Sequence, residues 1–243
     1  MSKKQIALVT GGNKGIGLET VKQLARQGMT ALLGARDASR GEAAASALRK
    51  EGLDVRFIQL EVTDEVSIAA AAAKIQQEFG RLDVLVNNAG VSIGAVESSP
   101  STAKMADIRA TFDVNFFGLI AVTQAMVPLM KKSEAGRIVN LTSILGSLGE
   151  HRDPASPIYG MLYMAYNASK AAVNMFTANL AHELRETKIK VNAAHPGWVK
   201  TDMGGEAAPL ETPEGAWTSV YLATLPAEGP SGGFYHKTVH MRW

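Results

Sequence analysis

The segment "ALVTGGNKGIGLE", residues 7–19, sets the tightest limit on what this chain can become. An apolar run, "QIALVT" (5–10), leads straight into Gly11, Gly12, Gly15 and Gly17, and a helix-forming stretch follows at once. Glycine admits positive φ in a tight turn and lets another group approach the backbone closely. The first turn of the following helix offers free N–H groups and the positive end of a dipole, a natural seat for phosphate. A glycine cluster alone is equally a plain strand–helix turn. Its place in a first strand–loop–helix unit favours a pyrophosphate loop made by Gly11, Asn13, Lys14, Gly15, Ile16 and Gly17.

The rest of the chain repeats the same unit. Further apolar runs are "TALLGA" (30–35), "VRFIQL" (55–60), "LDVLVN" (82–87), "RIVNLT" (137–142) and "KVNAAH" (190–195). Most are apolar on both faces, as in a parallel sheet covered on both sides. Between them lie "GLETVKQLARQG", "SRGEAAASALRKEG" and "DEVSIAAAAAKIQQEFG", each rich in helix formers and each closed by a glycine suited to a C-cap. Ser39 and Asp64 are the expected helix starts. The alternation predicts an α/β fold: a single Rossmann-type, doubly wound parallel sheet of about seven strands with helices on both faces. A chain of 243 residues suits one such domain over 1–243, with a cofactor half to about 135 and a catalytic and substrate half from about 136. Two loops stand out after strands, 146–158 and 203–215.

Composition excludes several function classes. There is no cysteine, so disulfide, thiolate and Cys-metal chemistry are out. Lysine and arginine number 25 against 23 acids, and they are scattered, so no stripe tracks a nucleic-acid backbone. His182–Glu183 lacks a second histidine four residues on, so no metal site is expected; His182 and His195 read as structural and His151 as an exposed loop histidine. The opening "MSKKQIALVTGG" reads as a strand rather than a signal sequence, and no window of about 20 apolar residues is seen. The expectation is a cytoplasmic protein with no membrane or nucleic-acid partner.

The spacing of the loop is T-G-x-x-x-G-I-G, and four more motifs follow in order: "VNNAG" (86–90), "IVNLTS" (138–143) with Gly146, "YNASK" (166–170) and "HPGWVKTDM" (195–203). Over nearly its whole length the chain thus resembles the short-chain dehydrogenase/reductase family, and within it the NADPH-dependent carbonyl reductases. The resemblance implies that Asn88, Ala89 and Gly90 touch the cofactor. It implies that Glu61 and Val62 lie near the adenine, where the family more often has Asp. It also implies that Thr201 bonds the nicotinamide carboxamide or the phosphates, beside Pro196, Gly197 and Val199.

Charge argues for NADP(H). An acid at the end of the second strand would bond a ribose 2′-OH and repel a 2′-phosphate. Here "LLGARD" places Arg36 there, and Arg grips phosphate with a bidentate fork. Lys14 supplies a second cation, and Asp37 is expected to turn away or cap the next helix.

The segment "YGMLYMAYNASK" holds Tyr159, Tyr163 and Tyr166, of which only Tyr166 has a lysine four residues on. Residues four apart share a helix face, and a nearby cation lowers a phenol's pKa towards working pH. The pattern is common by chance; its place after the fifth strand, where the resembled family keeps it, makes Tyr166 the candidate general acid and Lys170 its partner, also bonding the nicotinamide ribose. Ser143 ends the fifth strand, with Thr142 facing the other way and Ser147 as a further rival. By resemblance Ser143 polarises the substrate oxygen and Asn115 holds a water linking the lysine to solvent. Asn115 has a competing reading as a helix polar group bonded to backbone.

Ile93, Leu145, Trp198 and Met203, with Ser143 and Tyr166, are expected to line a pocket for a small neutral carbonyl or alcohol. Ser143 and Tyr166 stand 23 positions apart, about ten more than is usual in the family. That insert leaves Tyr159 and Tyr163 as pocket wall or covered interface. A homodimer or homotetramer built on a helix at 166–187 is expected. Competing functions are a dedicated dehydrogenase of a steroid, polyketide or acyl thioester, and an NADP-binding redox sensor without turnover; such sensors usually lack the Tyr or Lys. Arg36→Asp should weaken NADPH binding far more than NADH binding in a fluorescence titration; equal loss for both contradicts the 2′-phosphate assignment.

Overall fold

The computed structural model describes residues 4–94 and 99–243. Strands β1 (Ile6–Thr10), β2 (Thr30–Ala35), β3 (Val55–Gln59) and β4 (Val84–Asn87) alternate with helices α1 (Gly15–Arg26), α2 (Ala38–Lys50) and α3 (Glu65–Phe79). Then come α4 (Met105–Phe112), a π-helical turn (Asp113–Gly118), α5 (Leu119–Met130) and β5 (Arg137–Leu141). The second half holds α6 (Leu148–His151), α7 (Met164–Glu183), β6 (Lys190–Ala194), α8 (Thr212–Ala223), β7 (Phe234–His236) and β8 (Val239–His240).

One sheet joins all eight strands in the order β3-β2-β1-β4-β5-β6-β7-β8. Pairing is parallel throughout except for the β7–β8 hairpin. The count is therefore eight, not about seven. The last two strands span only three and two residues, too short to show a period of two.

Alternation along β1 divides the core. Ile6 and Leu8 face a layer that holds Ile68, Val122, Met126 and Leu180, from α3, α5 and α7. Ala7 and Val9 face Val21, Leu24, Ala45 and Val220, from α1, α2 and α8. Strands apolar on both faces read as continuous hydrophobic runs for this reason.

Helix ends follow local chemistry. Asp64 caps α3 through the Val66 N–H, as expected. The cap of α2 is Asp37, not Ser39: its carboxylate accepts from Arg40 N at 2.9 Å. Gly28, Gly52 and Gly80, at φ 87°, 82° and 73°, close α1, α2 and α3. The helix expected at 166–187 runs instead from Met164 to Glu183. The loop at 146–158 contains α6, and the loop at 203–215 ends inside α8, which begins at Thr212. The continuous helical stretch Met105–Met130 contains an 18-residue window of mean hydropathy 1.4 and is long and apolar enough to cross a membrane by length and composition, contrary to the expectation from sequence. Here its residues Leu119, Val122, Met126, Leu129 and Met130 are buried.

The sheet reverses its order between β1 and β4, and the two loops that leave it there are locked together. Thr10 Oγ1 accepts from the N–H groups of Asn88 and Ala89, at 3.0 and 2.9 Å. Asn88 Nδ2 donates back to Thr10 O and Gly11 O, at 2.8 and 3.3 Å. Gly17 is wedged between these loops: a Cβ there would lie 2.4 Å from both Asn88 Nδ2 and Gly11 O. Gly17→Ala should therefore destabilise the fold by about 1–3 kcal/mol through overpacking. Urea unfolding should show a lower midpoint at unchanged slope; an unchanged midpoint contradicts the wedge.

Candidate active site

The cradle after β1 has room for a diphosphate. Gly11 and Gly15 take φ of 63° and 54°, which turn the chain into α1. Lys14 is the N-cap of α1 and makes no side-chain cap, so the first-turn N–H groups face outward. Asn13 and Ile16 are half-buried around the loop, and Thr201 packs on Gly15: a Cβ at Gly15 would stand 3.4 Å from its methyl. These features fit the dinucleotide expected from the sequence.

Both candidate 2′-phosphate cations face carboxylates. Lys14 Nζ lies 2.5 Å from Asp202 Oδ2, and Arg36 Nη1 lies 3.9 Å from Glu61 Oε2. Glu61 also accepts from Thr63 Oγ1 at 3.0 Å. Asp37 caps α2, as the sequence suggested. Val62 is buried under the π-helical turn, where a Cβ at Gly118 would meet its carbonyl at 2.7 Å.

"VNNAG" divides its work. Asn87 Nδ2 reaches into the core and donates to Thr123 Oγ1 and Asn140 Oδ1, both at 2.9 Å. Asn88 and Ala89 tie to Thr10. Gly90 permits close approach: a Cβ there would stand 3.3 Å from Asn115 Oδ1 and 3.7 Å from Lys170 Nζ.

Next to this rim, at the end of β5, the four candidate catalytic residues converge. Ser143 is buried and extended, and its Oγ accepts from Leu145 N at 3.2 Å at the start of a 3-10 turn, Ile144–Gly146. That bond uses a lone pair and leaves the O–H free to donate. Its rivals are engaged elsewhere. Thr142 Oγ1 donates to Asn174 Oδ1 at 2.7 Å, beneath α7, and Ser147 Oγ accepts from Glu150 N at 3.2 Å.

Tyr166 and Lys170 lie one turn apart on α7, with the ammonium 5.6 Å from the ring centroid. Lys170 is 4% exposed, and its Nζ donates to Leu141 O at 2.9 Å. Burial pulls its pKa down to about 8. Tyr166 is half-buried as a residue, but its surroundings are dry. Burial pushes the phenol up to about 12, and the Ser143 hydroxyl opposes this only in part. The expected lowering by the lysine is not seen: burial, opposed only by the Ser143 hydroxyl, sets the direction. The pair is a retained proton beside a cation, not a ready phenolate.

Asn115 sits in the π-helical turn, 1% exposed. Its Oδ1 accepts from Val91 N at 2.8 Å, and its Nδ2 donates to Val91 O and Ser169 Oγ, at 2.9 and 3.0 Å. The side chain is thus bonded to backbone, which was the competing reading. Single π-turns inside helices often mark functional sites.

The pocket candidates differ in exposure. Ile93 and Leu145 are half-buried, while Trp198 and Met203 are exposed. Trp198 is held by its indole N–H on Gly204 O at 2.8 Å. Gly197 turns the chain at φ 86° after Pro196, and Val199 is buried in a parallel bridge to Leu210. Thr201 Oγ1 accepts from Gly204 N at 3.1 Å. Glu211 pairs with Lys200 at 2.6 Å. Tyr163 directly precedes α7 and Tyr159 is exposed, with Leu148, Met161 and Leu162 also exposed on the insert. His195 is structural: its ring accepts from Ile144 N and Gly197 N, both at 3.4 Å, and burial first, then His236, lowers its pKa to about 3. His151 departs from its expected exposure. It is half-buried, and its Nε2 bonds to Leu145 O at 3.0 Å. No group of three or more metal-ligating side chains is found among the described residues.

Comparison with known proteins agrees with this geometry. The family model described as short chain dehydrogenase matches residues 5–211. Carbonyl reductase [NADPH] 1 from Homo sapiens is 37% identical, across 98% of each chain. The alignment spans 276 positions, so that relative carries segments this shorter chain lacks. The NADPH-bound carbonyl reductase from chicken fatty liver superposes with a TM-score of 0.84 at 31% identity, covering 99% of each chain. Salutaridine reductase from Papaver somniferum gives 0.83 at 31% identity, covering 96% of this chain and 99% of its own. The chain belongs to the short-chain dehydrogenase family.

Proposed function

We propose that this chain is an NADPH-dependent carbonyl reductase that converts a neutral ketone or aldehyde to an alcohol, reversibly. The observation that carries this reading is the meeting of Tyr166, Lys170 and Ser143 beside a glycine cradle flanked by Lys14 and Arg36. Two of the relatives are named as carbonyl reductases, which supports it. The first half of the chain supplies the cradle and the second half the acid and the pocket.

Gly11, Asn13, Gly15, Ile16 and Gly17 hold the diphosphate, with Asn88, Ala89, Gly90 and the Pro196–Thr201 turn along the same rim. Val199 contributes through its backbone, since its side chain is buried. Lys14 and Arg36 exchange their carboxylate partners, exposed Asp202 and half-buried Glu61, for the 2′-phosphate; an exposed pair is worth about 0–1 kcal/mol, so release of Lys14 is easy. When bound, NADPH supplies the hydride. The chain does the rest. Ser143 donates a hydrogen bond to the carbonyl oxygen as charge builds there. Tyr166, protonated at any working pH, gives up its phenolic proton to that oxygen. Lys170 stabilises the phenolate left behind, and Asn115 fixes the π-turn through which the lysine is resupplied.

The candidate pocket side chains Ile93, Leu145, Trp198 and Met203 are apolar, and Glu211, from the 203–215 loop, is already paired with Lys200. This supports a small neutral substrate over a phosphorylated one. Met105, Phe117 and Met175 are exposed apolar side chains near α7, which supports a homodimer or homotetramer; light scattering decides between these and a monomer.

Two readouts test the proposal. NADPH oxidation should proceed with aryl ketones and not with acyl thioesters; the opposite preference favours a dedicated acyl-thioester reductase. The pH profile should follow Lys170. Its cation is present below its pKa and lost above it, while Tyr166 keeps its proton. Reductive kcat/KM should hold to about pH 7 and fall through about pH 8. A flat profile from pH 7 to 9 contradicts the assignment.

A further inference from the structure

We infer that His151 is a positioning residue for carbonyl reduction, clamping the turn that carries Ser143 against the start of the helix that carries Tyr166. The inference rests on the function proposed above.

The main chain of Leu145 is held from both sides. Its N–H donates to Ser143 Oγ at 3.2 Å, and its carbonyl is bonded by His151 Nε2 at 3.0 Å. A carbonyl only accepts, so Nε2 carries the ring proton. One residue thus separates the imidazole from the hydroxyl that must face the substrate. On the other side stands Asn167, the residue after Tyr166. Its Nδ2 lies 3.3 Å from His151 Nε2 and donates to Met161 O at 2.9 Å. Since Nε2 is a donor, the amide packs on the ring edge and does not bond it. The ring therefore touches Leu145, two residues after Ser143, and Asn167, the residue after Tyr166.

The insert that carries His151 is a frame rather than a loose flap. Ser147 caps α6, and His151 N bonds Ser147 O at 3.2 Å. Ser156 Oγ donates to Glu150 Oε2 at 2.8 Å. Gly149 N donates to Trp243 O at 3.1 Å, and Arg242 meets Asp153 at 3.5 Å. Trp243 in turn stacks on buried Phe234, with ring centroids 5.5 Å apart. The frame is anchored on the sheet at one end and on α7 at the other. It presents one N–H to the turn behind Ser143.

The chemistry makes this placement matter. Ser143 helps only if its O–H points at the developing oxyanion, and small misplacements of such donors cost large factors in rate. Without His151 the turn keeps its own hydrogen bonds but loses the strut that fixes Leu145.

The test uses the full-length protein, NADPH and an aryl ketone. His151→Ala should lower kcat about tenfold while the NADPH dissociation constant and Tm stay near wild type. His151→Gln, whose amide N–H reaches about as far as Nε2, should restore most of kcat; the shorter His151→Asn should not. Wild-type kcat in His151→Ala overturns the inference, as does a loss that His151→Gln leaves uncorrected. If His151→Ala does not fold, the Gln and Asn variants decide, and equal rates overturn it. A wild type that reduces no carbonyl overturns the proposed function and this role with it. An active wild type with indifferent variants overturns this role alone.

Discussion

The structure depends on one topological constraint, the reversal of strand order between β1 and β4. Parallel strands joined by right-handed crossovers carry all their outgoing loops to one edge. Where the order reverses, two of those loops separate and leave a crevice. Here the crevice is stabilised by the reciprocal bonds among Thr10, Gly11, Asn88 and Ala89. The cradle, the serine at the end of β5 and the turn after β6 all open on that edge. The tyrosine and lysine reach it from the first turns of α7.

Burial then shapes the chemistry at this edge. A lysine in water would be a fixed cation at neutral pH. Buried on α7 against the end of β5, with one carbonyl partner, Lys170 has its pKa pulled down to about 8. The same dryness raises Tyr166, which makes it a proton donor that does not leak. Burial sets the direction at Tyr166, so the protonated phenol is the form that waits for substrate.

Much of the fold was legible because both-face apolar runs and glycine-closed helices are local signals. So was the pairing of Tyr166 with Lys170, a matter of helix geometry. Strand alternation predicts opposite faces for Thr142 and Ser143; the choice of Ser143 rested on the resemblance, and Thr142 is engaged by Asn174. What escaped was tertiary. β7 and β8 are too short to carry a pattern. "DVNFFG" gives no sign of a π-turn. The direction of the Tyr166 shift depends on packing that no spacing reveals. His151 looked like an exposed loop residue because its partner, the Leu145 carbonyl, has no side-chain signature. Its only sequence signal was its place in an insert between Ser143 and Tyr166.

The central claim is that one phenol supplies the proton to the carbonyl oxygen. The most direct measurement is NADPH oxidation with an aryl ketone by wild type and Tyr166→Phe, alongside NADPH binding to both. Phenylalanine keeps the ring and removes the hydroxyl. The account predicts intact binding and a kcat lower by about a hundredfold or more, the usual scale for general acid–base catalysis. Full turnover by Tyr166→Phe would contradict it.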